Sequence, residues 1–468
     1  MNKSETDLNP QPLTWKDYLV VSSLLFGLFF GAGNLIFPLH LGQLAGAHWL
    51  TAMIGFLVTA VLLPLLSVLA VSITRSQGVY DIGRPLGPAF ALVFMVLIHA
   101  TIGPLFGTPR TATVSFTVGL APLLPANWAH GGLLVFSAIF FLVAFIISYQ
   151  ESSILSSVGK VLNPLFLLLL MVVFFLAILN PMGATANQSV TAAYQHNAFF
   201  NGFLQGYNTM DALAGLAFGV TIVTAVKQMG KTTPKSNAKV TAKAGILATA
   251  LIGLIYVVLI WIGATTLAKF KLSPDGGIAF NQLVNYYLGR AGQVLLAVLI
   301  TVTCLTTAVG LVAAFAQDFH KHFPKVSYHV WLVFTCIASF LTANFGLDTI
   351  IAWSTPLLML LYPFAMVLIL LSIFSPFFQR DPQVYVWTVA LTAVAAVLDM
   401  IAAFPPVISQ TAWAKAVGTW QQQFLPFASL GMDWIVPAAL GAVIGLTLHF
   451  VSQAHLKNAK TKYAHSNN

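Results

Sequence analysis

The chain has 468 residues, of which 58% are hydrophobic and 7% charged, with a formal net charge of +9. Soluble domains carry about 25% charged residues, so this composition excludes a soluble domain. The basic residues are scattered between apolar runs, which excludes a nucleic-acid surface and leaves a polytopic membrane protein.

Taken in chain order, the apolar runs predict twelve membrane spans, at 17–40, 49–74, 88–120, 131–149, 157–179, 199–226, 240–267, 289–317, 328–346, 348–374, 384–403 and 430–452. Each has the ~20 apolar residues that cross ~30 Å of hydrocarbon, and the third and eighth are long enough to tilt. The polar N-terminus and long first run do not read as a cleavable signal peptide, so the first span is expected to stay. Cys304 and Cys336 both fall within apolar spans and suit reduced, packed thiols.

The first span is interrupted at mid-depth. It opens a run from Tyr18 to Thr74 without Lys, Arg, Asp or Glu, yet contains Gly27, Gly31, Gly33, Asn34 and Pro38. In a helix interior glycine costs about 1 kcal/mol and proline about 3 kcal/mol. Broken backbone at that depth survives where it is buried in protein or lines a cavity, and transporters use such breaks to present peptide groups to substrate and ion. Gly27 and Gly31 also form a GxxxG pair that suits close helix packing.

Twelve spans put both termini on one side. Lys3, Lys16, Arg75, Arg84, Lys160, Lys227, Lys231, Lys235, Lys239, Lys243, Lys321, Lys325, Arg380, Lys457, Lys460 and Lys462 all fall on that side, 16 of the 21 basic residues. Lys269, Lys271, Arg290 and Lys415 fall on the other, and Arg110 lies within a span. The positive-inside rule makes the rich side cytoplasmic.

The sixth span repeats the oddity of the first, with Gln205, Gly206, Asn208, Thr209, Asp211 and Gly215 at mid-depth. Five spans run from the first break and five more from the second. Five is odd, so the second unit enters the membrane from the opposite face, which is the pattern of an inverted repeat with a site between the broken helices. The expected organisation is a cytoplasmic N-terminus at 1–16, a first five-helix repeat at 17–180, an extracellular loop at 181–198, the inverted repeat at 199–375, two additional helices at 376–452 and a cytoplasmic C-terminus at 453–468.

A broken helix offers N–H groups to an anion at one half and carbonyls to a hard cation at the other. Thr303, Thr306 and Thr307 on the eighth span offer hydroxyls for an oxygen cage, or bond back to their own helix. Asp211 is an acid in an apolar span, and Arg110 is the only base well inside one. Intramembrane charges need a partner, water or a proton, so an Arg110–Asp211 pair or a gate is one expectation, and residence beside an aqueous vestibule is another. Asp399 reads as structural and His99 as a hydrogen-bonded core histidine, with a proton relay as its alternative.

Four stretches carry a resemblance: Gly31-Ala-Gly-Asn-Leu-Ile-Phe-Pro38, Gly103-Pro-Leu-Phe-Gly-Thr-Pro-Arg-Thr-Ala-Thr-Val-Ser-Phe116, Gly206-Tyr-Asn-Thr-Met-Asp211 and Thr307-Ala-Val-Gly-Leu311. With them, nearly the whole chain resembles the bacterial branched-chain amino acid:cation symporter family, within the amino acid–polyamine–cation group. The resemblance implies an all-α fold of about twelve transmembrane helices, a LeuT-like five-plus-five inverted repeat with helices 1 and 6 broken, plus two extra helices. It implies leucine, isoleucine and valine as substrates, Na⁺ or H⁺ as coupling ion and no other cofactor. It also implies a bacterial inner-membrane location and no obligate protein partner. Placed on the group's sodium site, it points to Gly27 and Phe30 carbonyls, the Thr303 carbonyl and the Thr306 and Thr307 hydroxyls. The substrate carboxylate would meet amides near Ala32, Gly33 and Asn34, and its amino group oxygens near Phe29 and Gln205, Gly206, Tyr207, Asn208 and Thr209. Gating or coupling candidates are Arg110, Asp211 and Thr117. The family motif often has glutamate where Thr117 stands, which keeps proton coupling open beside sodium, and Asn208 stands where leucine is common.

No HExxH, GxSxG or P-loop is present. Gly230-Lys231-Thr232 looks like the end of a P-loop, but Ala225 occupies its first glycine position. A membrane-embedded enzyme is therefore not expected. A channel, or a carrier of another neutral amino acid, remains as an alternative.

Overall fold

In hydrocarbon, a single chain satisfies its backbone through helices or a closed barrel. The computed structural model describes residues 14–31, 33–125, 128–149, 154–229 and 234–466, and among them it contains helices and turns and no strand. Ala32, Lys3, Lys231 and most of the expected N-terminal segment lie outside the described residues.

The first span is two helices, α1 (Trp15–Phe29) and α2 (Gly33–Ala45). The second is α3 (Trp49–Leu57) and α4 (Leu63–Thr74) joined through a π-helical turn at Val58–Leu62. After the short α5 (Val79–Gly83), the third comprises α6 (Pro88–Ala100) and α7 (Gly107–Val114), with π-helical turns at Thr101–Leu105 and Ser115–Leu120. The fourth and fifth are α8 (Ala129–Tyr149) and α9 (Ile154–Leu179). The sixth is again two helices, α10 (Ala192–Gln205) and α11 (Asp211–Gln228). Spans seven to ten are α12 (Pro234–Thr266), α13 (Gly276–His322), α14 (Tyr328–Ala343) and α15 (Leu347–Phe374). The last two are α16 (Pro382–Ala403) and α19 (Ile435–Ser466), linked through α17 (Pro406–Ser409) and α18 (Ala412–Phe424).

Helix occupies all twelve expected spans, with shifted boundaries. Among the described residues, eight helical stretches are long and apolar enough to cross a membrane on their own. The sixth span starts at Ala192 rather than 199, and the last at Ile435 rather than 430. The eighth expected span begins where Gly289, at φ 60°, interrupts the longer α13. The third is broken as well as long, since Gly103 leaves helical geometry (φ −91°, ψ −121°) beside Pro104. A proline lacks the N–H and crowds the preceding turn, so this kink follows from the sequence.

The packing shows the inverted repeat. The first broken helix lies along α12, the seventh span, and the sixth broken helix lies along α3 and α4, the second span. Exchanging the repeats turns one pairing into the other. Backbone contact seals both. A β-carbon on Gly42 would lie 2.9 Å from the Gly263 Cα, and one on Gly55 2.9 Å from the Phe203 amide nitrogen, so only glycine fits. Around Gly27, by contrast, nothing lies within 4 Å of the corresponding position. On the outside, α8 exposes Val135, Ile139, Leu142 and Ile146 at helical spacing, a face suited to lipid.

Candidate functional site

The two breaks meet at mid-molecule. α1 is capped by Phe30, whose N–H donates to the Phe26 carbonyl at 2.8 Å before the chain turns extended. The Gly31 N–H donates to the Asn34 Oδ1 at 2.7 Å, and the Asn34 N–H returns to the Gly31 carbonyl at 3.2 Å. Asn34 thus closes the break with its own backbone and one side-chain atom. Its Nδ2 crosses to the sixth span and donates to the Asp211 Oδ2 at 2.7 Å. The same amide touches the Tyr256 hydroxyl, which itself donates to the Asp211 Oδ2 at 3.2 Å.

Asp211 is the first residue of α11. Before it the chain makes one tight turn at Gly206–Thr209 and a left-handed residue, Met210 (φ 60°), which costs about 1–2 kcal/mol in a non-glycine residue. Partners outside the span hold this break in place. Thr59 in the π-helical turn of the second span donates to the Phe203 carbonyl at 2.7 Å. Tyr207 stacks on Tyr362 of α15 with ring centroids 4.1 Å apart. Thr209 donates to the Gly206 carbonyl at 3.0 Å, and Asn208 to the Gln205 Oε1 at 3.1 Å. The Asn208 Oδ1 and the Tyr207 hydroxyl are buried without a hydrogen-bond partner.

Arg110 comes to the same place from α7. Its Nη1 donates to the Asn208 carbonyl at 2.6 Å and its Nη2 to the Ser354 Oγ at 3.2 Å. The guanidinium lies 4.8 Å over the Phe37 ring. The expected Arg110–Asp211 ion pair is absent among the described residues. The reason is that donors from α2 and α12 occupy the Asp211 Oδ2, while a backbone carbonyl takes the Arg110 fork. Thr117 lies on the following π-helical turn, where a β-carbon on Gly277 would approach its methyl to 3.3 Å. Phe29 and Phe30 are buried beside the break.

The eighth span brings its threonines against the first break. A β-carbon on Gly31 would lie 3.7 Å from the Thr307 Oγ1. Thr306 and Thr307 donate to the Thr303 carbonyl at 2.7 and 3.2 Å. Both hydroxyls keep lone pairs for a cation, but the Thr303 carbonyl is already loaded with two donors. The Thr303 hydroxyl is buried and has no partner, an oxygen that the expected ligand set omitted. Tyr256, Ser354, Tyr362 and Thr59 were also missed; the only signal was a hydroxyl placed within an apolar span.

Below the second break, α11 borders a cavity of about 430 Å³ lined in part by Arg75, Gln77, Thr221, Lys227, Asp318 and Lys321. His99 reaches its floor and places Nε2 2.7 Å from the Asp318 Oδ2. The core histidine thus has an acid from the eighth span beside it.

Two interrupted helices joined across the middle of an inverted repeat are the architecture of a carrier, and the family comparison agrees. Residues 14–452 match the model of the branched-chain amino acid transport protein family. This chain belongs to that family. Among curated relatives, the branched-chain amino acid permease BrnQ of Lactobacillus delbrueckii subsp. lactis is 39% identical over 432 residues, 92% of this chain and 96% of the relative. Its relatives are named permeases and carriers, and it is a membrane transporter rather than an enzyme. Two solved structures share its LeuT-like fold. Mhp1, a nucleobase-cation-symport-1 family transporter in a closed conformation with bromovinylhydantoin bound, is 13% identical with a TM-score of 0.57, over 89% of this chain and 96% of its own. MhsT in complex with L-phenylalanine is 14% identical with a TM-score of 0.53, over 94% and 98%.

Proposed function

We propose that this chain imports leucine, isoleucine and valine into a bacterial cell by coupling their entry to a cation, with Na⁺ favoured over H⁺. The observation that carries this reading is the Asn34–Asp211 hydrogen bond, which joins the two interrupted helices at their breaks in a chain of this family. Peptide groups released there suit a zwitterion, because the N-terminus of α2 favours a carboxylate and free carbonyls favour an ammonium. The apolar surround suits a branched side chain, and selectivity among the three is weak, since one methylene is worth about 1–3 kcal/mol.

The cation is a co-substrate. Carbonyls of Gly27 and Phe30 and oxygens of Thr303, Thr306 and Thr307 would hold it, a hard-oxygen set of the kind alkali ions take. The contact between Gly31 and Thr307 and the free Thr303 hydroxyl support this set. Each ligand raises the affinity for the other by the same factor. Alternating access would then expose the site to either face. The cavity along α11 supports an exit toward the lysine-rich, cytoplasmic side, where both termini would lie.

The test is radiolabelled leucine uptake by the purified protein in proteoliposomes under an imposed Na⁺ or proton gradient, with competition by the other amino acids. Accumulation driven by one gradient and competed by isoleucine and valine is expected. Conductance without accumulation would make it a channel, and competition only by other neutral amino acids would change the substrate.

A further inference from the structure

The buried guanidinium of Arg110 has no anion. It is 4% exposed, its Nε has no partner, and among the described residues no carboxylate lies within 4.0 Å of it. Arginine does not shed its charge in proteins. The Asn208 carbonyl, the Ser354 hydroxyl and the Phe37 ring are neutral: they satisfy some donors but cancel no charge. A buried charge left alone is strongly destabilising, whereas a paired one is tolerated.

A second positive feature occupies the same spot. α2 is 13 residues long and begins at Gly33, so its first amides have no acceptor within the helix and its dipole points its positive end there. A β-carbon on Gly33 would lie 3.3 Å from the Phe37 ring and 3.8 Å from the Asn208 carbonyl. These are the two groups that the Arg110 guanidinium covers and grips. The nearby acid, Asp211, makes no ion pair with Arg110, and its Oδ2 is held by Asn34 and Tyr256. A fixed cation and a helix N-terminus therefore converge, and among the described residues no carboxylate pairs with the cation.

We propose that Arg110 is the counter-charge for the α-carboxylate of the transported amino acid, acting with the amide end of α2. This rests on the carrier reading and deepens it by naming the group that makes the carboxylate obligatory. Arg110 also grips the carbonyl of Asn208 in the sixth-span break, so a carboxylate that draws the guanidinium toward α2 pulls on that break. Arrival of substrate at one broken helix is thereby felt at the other.

The test compares leucine with leucinamide, which keeps the side chain and ammonium but lacks the carboxylate charge, as competitors of radiolabelled leucine uptake in proteoliposomes. The wild type should prefer leucine by about 100-fold, the scale of losing one partner of a buried charged pair. Arg110→Gln should compress that preference to about threefold, and Arg110→Lys should keep roughly tenfold, because a lysine keeps the charge but not the fork. An Arg110→Gln carrier that still prefers leucine by the wild-type factor overturns the assignment. Should Arg110→Gln bind neither compound, the wild type decides, using phenylglyoxal labelling of Arg110 read by peptide mass spectrometry. Saturating leucine should slow labelling about tenfold, as expected for a bidentate contact, and saturating leucinamide should not; equal protection overturns the proposal. If the wild type does not take up leucine at all, the carrier reading itself fails and takes the assignment with it. Normal uptake with unaltered discrimination in Arg110→Gln fails the assignment alone.

Discussion

Asp211 and Asp399 are buried to the same depth, each 3% exposed, and the chain holds them in opposite ways. Asp211 starts a half-helix and takes donors from Asn34 on α2 and Tyr256 on α12. Its ties run 177 and 45 residues away and join separate helices. Asp399 takes one donor, the Gln421 amide of α18, which also serves Asp433 at 2.9 Å. Asp433 also lies against Asp399, within hydrogen-bonding reach of its carboxyl. That tie stays within 399–433 and fastens the α17–α18 connection to α16. One acid couples pieces of the transport core, and the other staples a loop to the helix that precedes it. Burial alone does not separate the two roles; the identity of the donors does.

The largest expected effect breaks the first of these. Asp211→Ala leaves the Asn34 amide and the Tyr256 hydroxyl without their buried acceptor, at about 1–3 kcal/mol each, and disconnects the two breaks. Leucine uptake should fall by about 100-fold or more. Asn34→Ala should do nearly the same, and the double variant should be no worse than either, because residues that act as a unit are non-additive. Losses that multiply in the uptake assay would show that the two act separately. Next in size, Thr307→Ala should raise the Na⁺ concentration for half-maximal uptake about tenfold, the loss of one good ligand oxygen, with the maximal rate less affected. An unchanged Na⁺ titration removes Thr307 from the ion site.

Asp399→Asn should keep the staple, since the Gln421 amide can turn to meet it. Uptake within about twofold of wild type is expected, with a stability change below about 1 kcal/mol. A folded Asp399→Asn carrier without transport would erase the contrast with Asp211. The smallest effect concerns Asp381, which caps α16 outside the membrane. Burial raises its pKa, but the His449 ring at 2.6 Å and the Gln383 amide more than reverse this, and the carboxylate sits below its ordinary range. An acid depressed on folding stabilises above its unfolded pKa of about 3.9 and loses that contribution as pH falls through its folded value. His449→Ala should therefore lower thermal stability slightly at neutral pH, by less than about 1 kcal/mol for a partly exposed pair. The difference should shrink as the pH is taken below the ordinary aspartate range, in thermal unfolding of detergent-solubilised protein.

Much of this architecture could be read from residue order. Gly31, Gly33 and Asn34 marked the first break, and Gly206 to Asp211 marked the second, because helices carry such residues at a cost; Gly27 and Pro38, read as part of the same interruption, instead lie inside α1 and α2. The spacing of the breaks implied the inverted repeat. What escaped was of two kinds. The π-helical turns at 58–62 and 115–120 differ from ordinary helix by about one residue per turn and leave no trace in hydropathy. The partners of the deepest groups escaped because they lie far along the chain or are peptide carbonyls. Arg110 grips a backbone oxygen that any residue at 208 would offer, and Tyr256 looks like one more aromatic in an apolar run. An Arg110–Asp211 pair was one of the arrangements that charge alone allowed, and hydrogen bonds to other groups stand in its place.

The sealed glycine contacts bear on which part of the machine can swing. α2 against α12, and α3 against α10, interlock peptide on peptide, and neither can slide without collision. α1 has no such seam at Gly27; it is held by the Ser22 hydroxyl on the Ala244 carbonyl and by side chains, and it ends at a turn anchored by Asn34. Should the carrier work by alternating access, α1 would be the door on a welded frame, with its hinge at the break. A methyl group at Gly42 would jam the frame, whereas one at Gly27 would leave the door free to open.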